Sequence, residues 1–382
     1  MDALSRWILT VPAADVGAFL DALARRAQQF GLPLWRMSTG LATMHPEVGV
    51  LSVFWTADAG PTVRHNPRSA LTTPFFLSSP MHALMERGVD EIRCRLSGPD
   101  AQLEYPICRE LAEQGGTAYL AWALTFSDGR RTGLTLATRA PDGFADEPLA
   151  QLRACLPALA VRLELFQAQF ATRSLLQVYL GDNAARRVLS GEFLRGSGTS
   201  IRAAIWICDL RGFTGLSDRR PPVEVVAALD AYFERVVEPI AAAGGEVLKF
   251  IGDAVLAIFP SAGDEADACR RALTAARGAV AGLAKWNAGR PDPLAMGVAL
   301  HVGDVFYGNI GGPDRLDFTV IGGPVNEVCR LEPLCKTLDA VILMTAAFRA
   351  RVDGDDLVDL GEHTLRGVGT PTRVFGVRPA NS

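Results

Sequence analysis

The stretch AAIWICDLRGFTG, residues 203–215, runs apolar for six residues and then breaks at a carboxylate. Ala203–Cys208 has the composition of a buried strand, yet Asp209 sits at its mouth, followed by a loop carrying Gly212 and Gly215. A helix can begin at Pro221-Pro222. Beyond them Val225, Val226, Leu229, Phe233, Val236, Val237 and Ile240 recur at helical spacing until Gly244-Gly245 stops the pattern. Glu246–Ile251 then reads as a strand, turning at Gly252-Asp253 and returning as Ala254–Phe259.

Strand, helix and hairpin in this order form the first half of a ferredoxin-like βαββαβ unit, an α+β arrangement. There the end of the first strand lies beside the hairpin tip, so Asp209 and Asp253 are expected to converge. Paired carboxylates flanked by glycines suit divalent cations bound together with a polyphosphate. Mg²⁺ takes hard oxygen ligands and completes its shell from phosphate and water. Two ions about 3.5–4 Å apart stabilise attacking and leaving oxygens in phosphoryl chemistry. Gly212 lets the following backbone approach phosphates closely. Each aspartate alone also suits an ordinary solvent-facing turn.

Three stretches in order, DLRGFT (209–214), GGEVLKFIGDAVLAIF (244–259) and RLDFTVIGGPVNEVCRLE (315–332), resemble the catalytic domain of class III nucleotidyl cyclases, across roughly residues 200–378. The resemblance implies an adenylate cyclase that converts ATP to 3′,5′-cyclic AMP and pyrophosphate. It makes Asp209 and Asp253 the ligands of two Mg²⁺ or Mn²⁺ ions, with the Leu210 carbonyl as an added ligand and Gly212, Phe213 and Thr214 beside the phosphates. Lys249 matches the purine-reading lysine, and Thr319 falls where its partner stands. Lysine with Asp, Thr or Ser there goes with adenine, whereas Glu with Cys goes with guanine, and the threonine form resembles a bacterial subgroup. A lysine donates to adenine N1 and a hydroxyl accepts from the amine, the reverse of what guanine presents. Asn326 and Arg330, at i and i+4 on one helix face, imply ribose orientation and α-phosphate stabilisation. Arg366 is the matching C-terminal phosphate contact, with Val368 where some relatives have lysine. The family builds its sites across a head-to-tail homodimer, and every required residue type is present in this one chain. No GGDEF-like stretch supports a diguanylate cyclase. A cyclase-like regulatory protein without activity and a guanylate cyclase are the alternatives.

The first half is expected to be an α/β sensor, with domains at 1–150, 151–198 as a helical connector and 199–382 as the cyclase. A helix over Val16–Phe30 has Asp15 as N-cap and Gly31 as stop. Strands follow at Leu34–Thr39 and Gly49–Thr56, then a Pro/Gly-punctuated loop over Ala59–Pro80. Tyr119–Phe126 and Thr132–Thr138 flank an Asp128-Gly129 turn. A helix with Asp146 as N-cap carries Leu152, Leu156, Leu159, Leu163, Phe166 and Phe170 at steps of four and three, a heptad seam for a dimerising coiled coil or a face for its own sheet. Pro157 restarts or kinks it, and Ser174–Leu180 reads as a second helical segment. Gly196–Ser200 reads as the domain boundary.

The segment 129–165 resembles the last hairpin and terminal helix of a GAF domain, which implies a small-molecule ligand or dimerisation. Trp35, Trp55, Trp122, Phe54 and Phe126 are pocket or core candidates, and aromatic strand residues more often belong to a core. His45, His65 and His82 have no haem motif around them, and Cys94 and Cys108 are weak redox candidates.

The chain has 382 residues, enough for two domains, with 49% hydrophobic and 21% charged residues. A net charge of -4 gives no electrostatic reason to expect nucleic acid as a partner. No apolar run reaches the roughly 18 residues of a membrane span, and the N-terminal residues do not read as a secretory signal. The seven cysteines form no C-x-x-C pair and sit in apolar patterns, implying reduced thiols in a cytoplasmic protein.

Overall fold

The computed structural model describes residues 2–365 and 371–378. The chain divides into two units, Met1–Val178 and Tyr179–Ser382.

The first unit is built on a six-stranded antiparallel sheet: β1 (Arg36–Ala42), β2 (Val48–Thr56), β3 (Gly60–Pro67), β4 (Glu91–Arg95), β5 (Ala118–Thr125) and β6 (Arg131–Thr138), in the order β3-β2-β1-β6-β5-β4. This sheet-rich unit is compatible with the expected sensor. The helix Val16–Gln29 starts where Asp15 accepts a hydrogen bond from the Ala18 N–H at 2.8 Å. Period-two alternation then divides the sheet. Met37, Leu41, Val53, Trp55, Leu120 and Leu136 face one buried core with that helix. Trp35, Trp122 and Phe126 are core residues too.

Several expectations need correction here. The region after Ala59 contains β3, an edge strand whose exposed Arg64 and His65 hide the usual alternation. Asp146 is the first residue of its helix and Ala145 caps it. A new helix, Leu156–Leu180, begins one residue before Pro157, where a missing N–H costs nothing, and Ser174–Leu180 is its continuation. The heptad seam is spent inside the unit. Leu152, Leu159, Leu163 and Phe166 are buried in its core, with Leu156 and Phe170 partly buried against it, so this stripe is not open to a partner helix. A sheet accepts the same stripe a coiled coil would. The other side of that helix carries exposed Val161 (58%) and Leu165 (46%), exposed Ala168 and Thr172, and half-buried Leu175, again at steps of four and three.

The second unit contains β7 (Gly198–Leu210), β8 (Glu246–Ile251), β9 (Ala254–Pro260), β10 (Met296–Gly311), β11 (Leu316–Ile321), β12 (Ile342–Thr345), β13 (Leu357–His363) and β14 (Thr372–Val377). Their order is β13-β14-β12-β10-β7-β9-β8, with β11 paired to β10. The inner strands β8-β9-β7-β10, with the helices Pro222–Ala242 and Glu265–Asn287, complete the expected βαββαβ unit. Alternate residues of β7 feed two cores. Ala204, Trp206, Cys208 and Leu210 pack with those helices, whereas Ala203, Ile205 and Ile207 face the side covered by Val328 and Leu331 of the helix Gly323–Leu331. The helix Asp182–Leu189 inserts Ala184 into this second core, and the second unit begins at Tyr179. Among the described residues no helix is long and apolar enough to cross a membrane.

Candidate active site

Alternation along β7 puts Asp209 on the same side as Ala203, Ile205 and Ile207, at the strand end where the core runs out. The β8–β9 hairpin turns through Gly252 and Asp253, with Ile251 paired to Ala254. Gly252 has φ +65°, the left-handed conformation that a two-residue hairpin asks of its first central residue and that glycine adopts without strain. Because β7 pairs β9 with Cys208 opposite Val255, the turn delivers Asp253 to Asp209. Asp253 lies near enough to act on the Asp209 carboxyl.

That proximity is costly without a cation. Burial first, then Asp253, then the nearby carboxylate of Glu332 push the Asp209 carboxyl up from 3.8 to about 7. Glu332 has no counterpart among the residues singled out from sequence. It follows the helix Gly323–Leu331 and reaches the sheet over Gly297, where a Cβ would lie 2.9 Å from its Oε1. Gly297 is the residue opposite Asp209 in the β7–β10 register. Burial and Asp253 raise Glu332 too, while Arg211 opposes them.

These groups are hard oxygen donors that a divalent ion would relieve of repulsion. Among the described residues no three His, Cys, Asp or Glu side chains gather into a metal cage. Asp209 and Asp253 would therefore hold Mg²⁺ or Mn²⁺ only with oxygens from elsewhere, which is how Mg²⁺ usually binds with phosphates. The backbone beyond them is anchored. Arg211 donates to the carbonyls of Cys335 and Ala340 at 2.9 and 2.6 Å, and Gly212, at φ +76°, turns the chain into the short helix Phe213–Ser217. Leu210 is buried, Phe213 is half-buried against the core and Thr214 is exposed.

Lys249 lies on β8 just after a bulge, since Val247 pairs Ala257 but Lys249 pairs Leu256. The extra residue, Leu248, is buried, and such bulges re-aim the side chain that follows. Lys249 Nζ donates to Asp317 Oδ2 on β11 at 2.8 Å. Thr319, the partner implied by the resemblance, is two residues further on the same strand, so its side chain shares a face with Asp317. Thr319 is buried at 6% exposure. Asp317 was not singled out from sequence, because nothing in RLDFTVIG marks which of its polar residues meets the lysine. Asn326 and Arg330 are both exposed on the helix Gly323–Leu331, opposite buried Val328 and Leu331. The structure thus holds the carboxylates at the end of β7 and, on β8 and β11, a Lys249–Asp317 contact with Thr319 two residues further along β11. Among the described residues Lys249, Thr319 and Asn326 make no hydrogen bond to Asp209 or Asp253. Arg366 lies outside the described residues.

Two carboxylates at the mouth of a ferredoxin-like sheet and a lysine placed by a bulge are the features the comparisons can be set against. Comparison with known proteins points the same way: residues 199–375 match the family model described as the adenylate and guanylate cyclase catalytic domain. An adenylate cyclase of Anabaena cylindrica is 34% identical over 158 residues, 39% of this chain and 30% of the relative. An uncharacterized protein of Mycobacterium tuberculosis is 34% identical over 180 residues, 46% of this chain and 33% of its own length. The chain therefore spans about a third of the length of these curated relatives. A solved structure of a bacterial light-regulated adenylyl cyclase is similar in fold, with a TM-score of 0.51 at 20% identity, covering 67% of this chain and 84% of that one.

Proposed function

We propose that this chain is an adenylate cyclase whose N-terminal unit is a GAF-like sensor. The observation that supports the reading is the β7–β9 register, with Cys208 opposite Val255, which brings the turn carrying Asp253 to the end of β7 at Asp209, where the two carboxylates repel each other unless a cation joins them. A pair of divalent ions bound there would supply Lewis-acid stabilisation of the oxygens around the α-phosphorus. Asp209 and Asp253 hold the ions, with the Leu210 carbonyl as a further donor. Backbone N–H groups at Gly212, Phe213 and Thr214 meet the phosphates. Lys249 donates to adenine N1, and Thr319 accepts from the exocyclic amine. Asp317 keeps the lysine in place through its 2.8 Å contact. Asn326 orients the ribose, and Arg330 offers its planar donors to the α-phosphate as charge builds there.

In the reaction the 3′-oxygen forms a bond to the α-phosphorus while the bond to the bridging oxygen breaks. Pyrophosphate leaves, and the hydroxyl proton passes to solvent. The two groups of residues belong to different protomers in this reading: the carboxylates of one chain work with the lysine, threonine, asparagine and arginine of a second copy. The stripe of exposed Val161, Leu165, Ala168 and Thr172 with half-buried Leu175 supports such a homodimer, because a largely apolar face at heptad spacing suits a second copy of the same helix.

Incubating the purified full chain with ATP and Mn²⁺ or Mg²⁺ tests the reading. Cyclic AMP and pyrophosphate should appear in equal amounts, and a chelator should stop both. GTP consumed in preference to ATP would reassign the base pocket.

A further inference from the structure

The sheet of the first unit has a second face, and its sequence pattern differs from the first. Where Met37, Leu41, Val53 and Trp55 fill the core, the intervening positions are Ser38, Gly40, Ala42 and Ser52. Small residues on a face roofed by the segment 70–85 and the helix Pro106–Glu113 leave space. The result is a cavity of about 380 Å³, in the range of small-molecule sites. Its roof is apolar, with Leu71, Phe76, Met81 and Ile107 among the lining residues. Its floor polar groups are already paired: Ser38 Oγ lies 2.6 Å from Thr135 Oγ1, and Asn66 Nδ2 donates to Ser52 Oγ at 2.7 Å.

The charged lining residues are Arg36, Arg64 and Glu110, two cations against one carboxylate. Arg36 and Arg64 both sit over the Phe54 ring, at 5.4 and 5.3 Å from its centroid, which gathers their charge at one end of the cavity. Glu110 accepts from Arg36 at 3.3 Å. Arg64 pairs with no carboxylate among the described residues. An occupant must therefore satisfy an apolar chamber and one uncompensated guanidinium.

We propose that this cavity binds an amphipathic organic monoanion, its ring-sized apolar body between sheet and roof and its acidic head on Arg64 and Arg36. The proposal stands apart from the catalytic reading, since binding is measured without turnover.

The test uses the full chain and two dyes of similar shape, anionic anilinonaphthalene sulfonate and neutral phenylnaphthylamine, followed by fluorescence. The sulfonate should bind saturably, one per chain, and Arg64→Gln should weaken it by about tenfold. Arg64→Glu should weaken it further, while either variant changes the neutral dye by less than about twofold. Ser52→Trp, which fills the chamber, should remove both. Arg64 is exposed and pairs with no carboxylate among the described residues, so its variants should fold as the wild type does, with thermal unfolding as the check. Sulfonate affinity unchanged by Arg64→Gln, or an equal loss of both dyes in it, overturns the proposal.

Discussion

Mixing two inactive variants should restore activity. Asp253→Ala removes half of the carboxylate pair, and Asn326→Ala removes the ribose contact, so each alone should lose at least about a hundredfold in turnover. If the sites are shared between protomers, a mixed dimer places both lesions in one site and leaves the other intact. Random exchange makes half of the dimers mixed, each with one working site, so about a quarter of wild-type activity should return. Unmixed samples provide the baseline. Activity that stays at this baseline after exchange, with mixed dimers demonstrated, means each chain builds its site alone. The resemblance to class III cyclases, which build each site from two protomers, is what makes recovery the expected result.

Changing the base pocket should exchange the substrate. Lys249→Glu with Thr319→Cys reverses the hydrogen-bonding pattern from one that fits adenine to one that fits guanine. A site built to hydrogen-bond one edge leaves buried polar groups unpaired against the other, so the ATP-to-GTP ratio of kcat/KM should fall by at least about a hundredfold. A glutamate at position 249 would face the Asp317 carboxylate that the lysine now contacts at 2.8 Å. Like charges there would distort the pocket, so Asp317→Asn should accompany the pair, with Asp317→Asn alone as the control that keeps the ATP preference. A ratio unchanged in the triple variant would remove Lys249 and Thr319 from base recognition.

The carboxylate pair was legible because it rests on chain order. An apolar strand ending in Asp209 and a hairpin turning at Gly252-Asp253 fix their relation once the βαββ order is read. Glu332 and Asp317 were not legible, since their positions depend on how a helix and an edge strand pack, which no local pattern encodes. Glu332 needs the missing side chain at Gly297 to reach the sheet. The heptad in the first unit shows the same limit. Leu159, Leu163 and Phe166 repeat at a spacing that a sheet and a partner helix satisfy equally, and the sheet won. Trp55 and Trp122 fill the core, as aromatic strand residues more often do, while the cavity is marked by the small residues Ser38, Gly40 and Ser52. Only Phe54 of the aromatic candidates lines it.

Repulsion between Asp209 and Asp253 is measurable without catalysis. With its carboxyl raised from 3.8 to about 7, folded Asp209 holds its proton more tightly than the unfolded chain does. Its contribution is therefore most favourable below about pH 4 and is lost as pH rises through about 7, by about 1–2 kcal/mol once solvent screening is allowed for. The decisive measurement is thermal unfolding of the full chain with chelator and with Mn²⁺, from pH 4 to pH 8, beside Asp209→Asn. We predict that the metal-free wild type loses stability across this range, that Mn²⁺ restores it at pH 8, and that Asp209→Asn shows neither the loss nor the response. A metal-free curve with no such loss relative to Asp209→Asn, or equal stabilisation of both proteins by Mn²⁺, would contradict a carboxylate pair made for divalent ions.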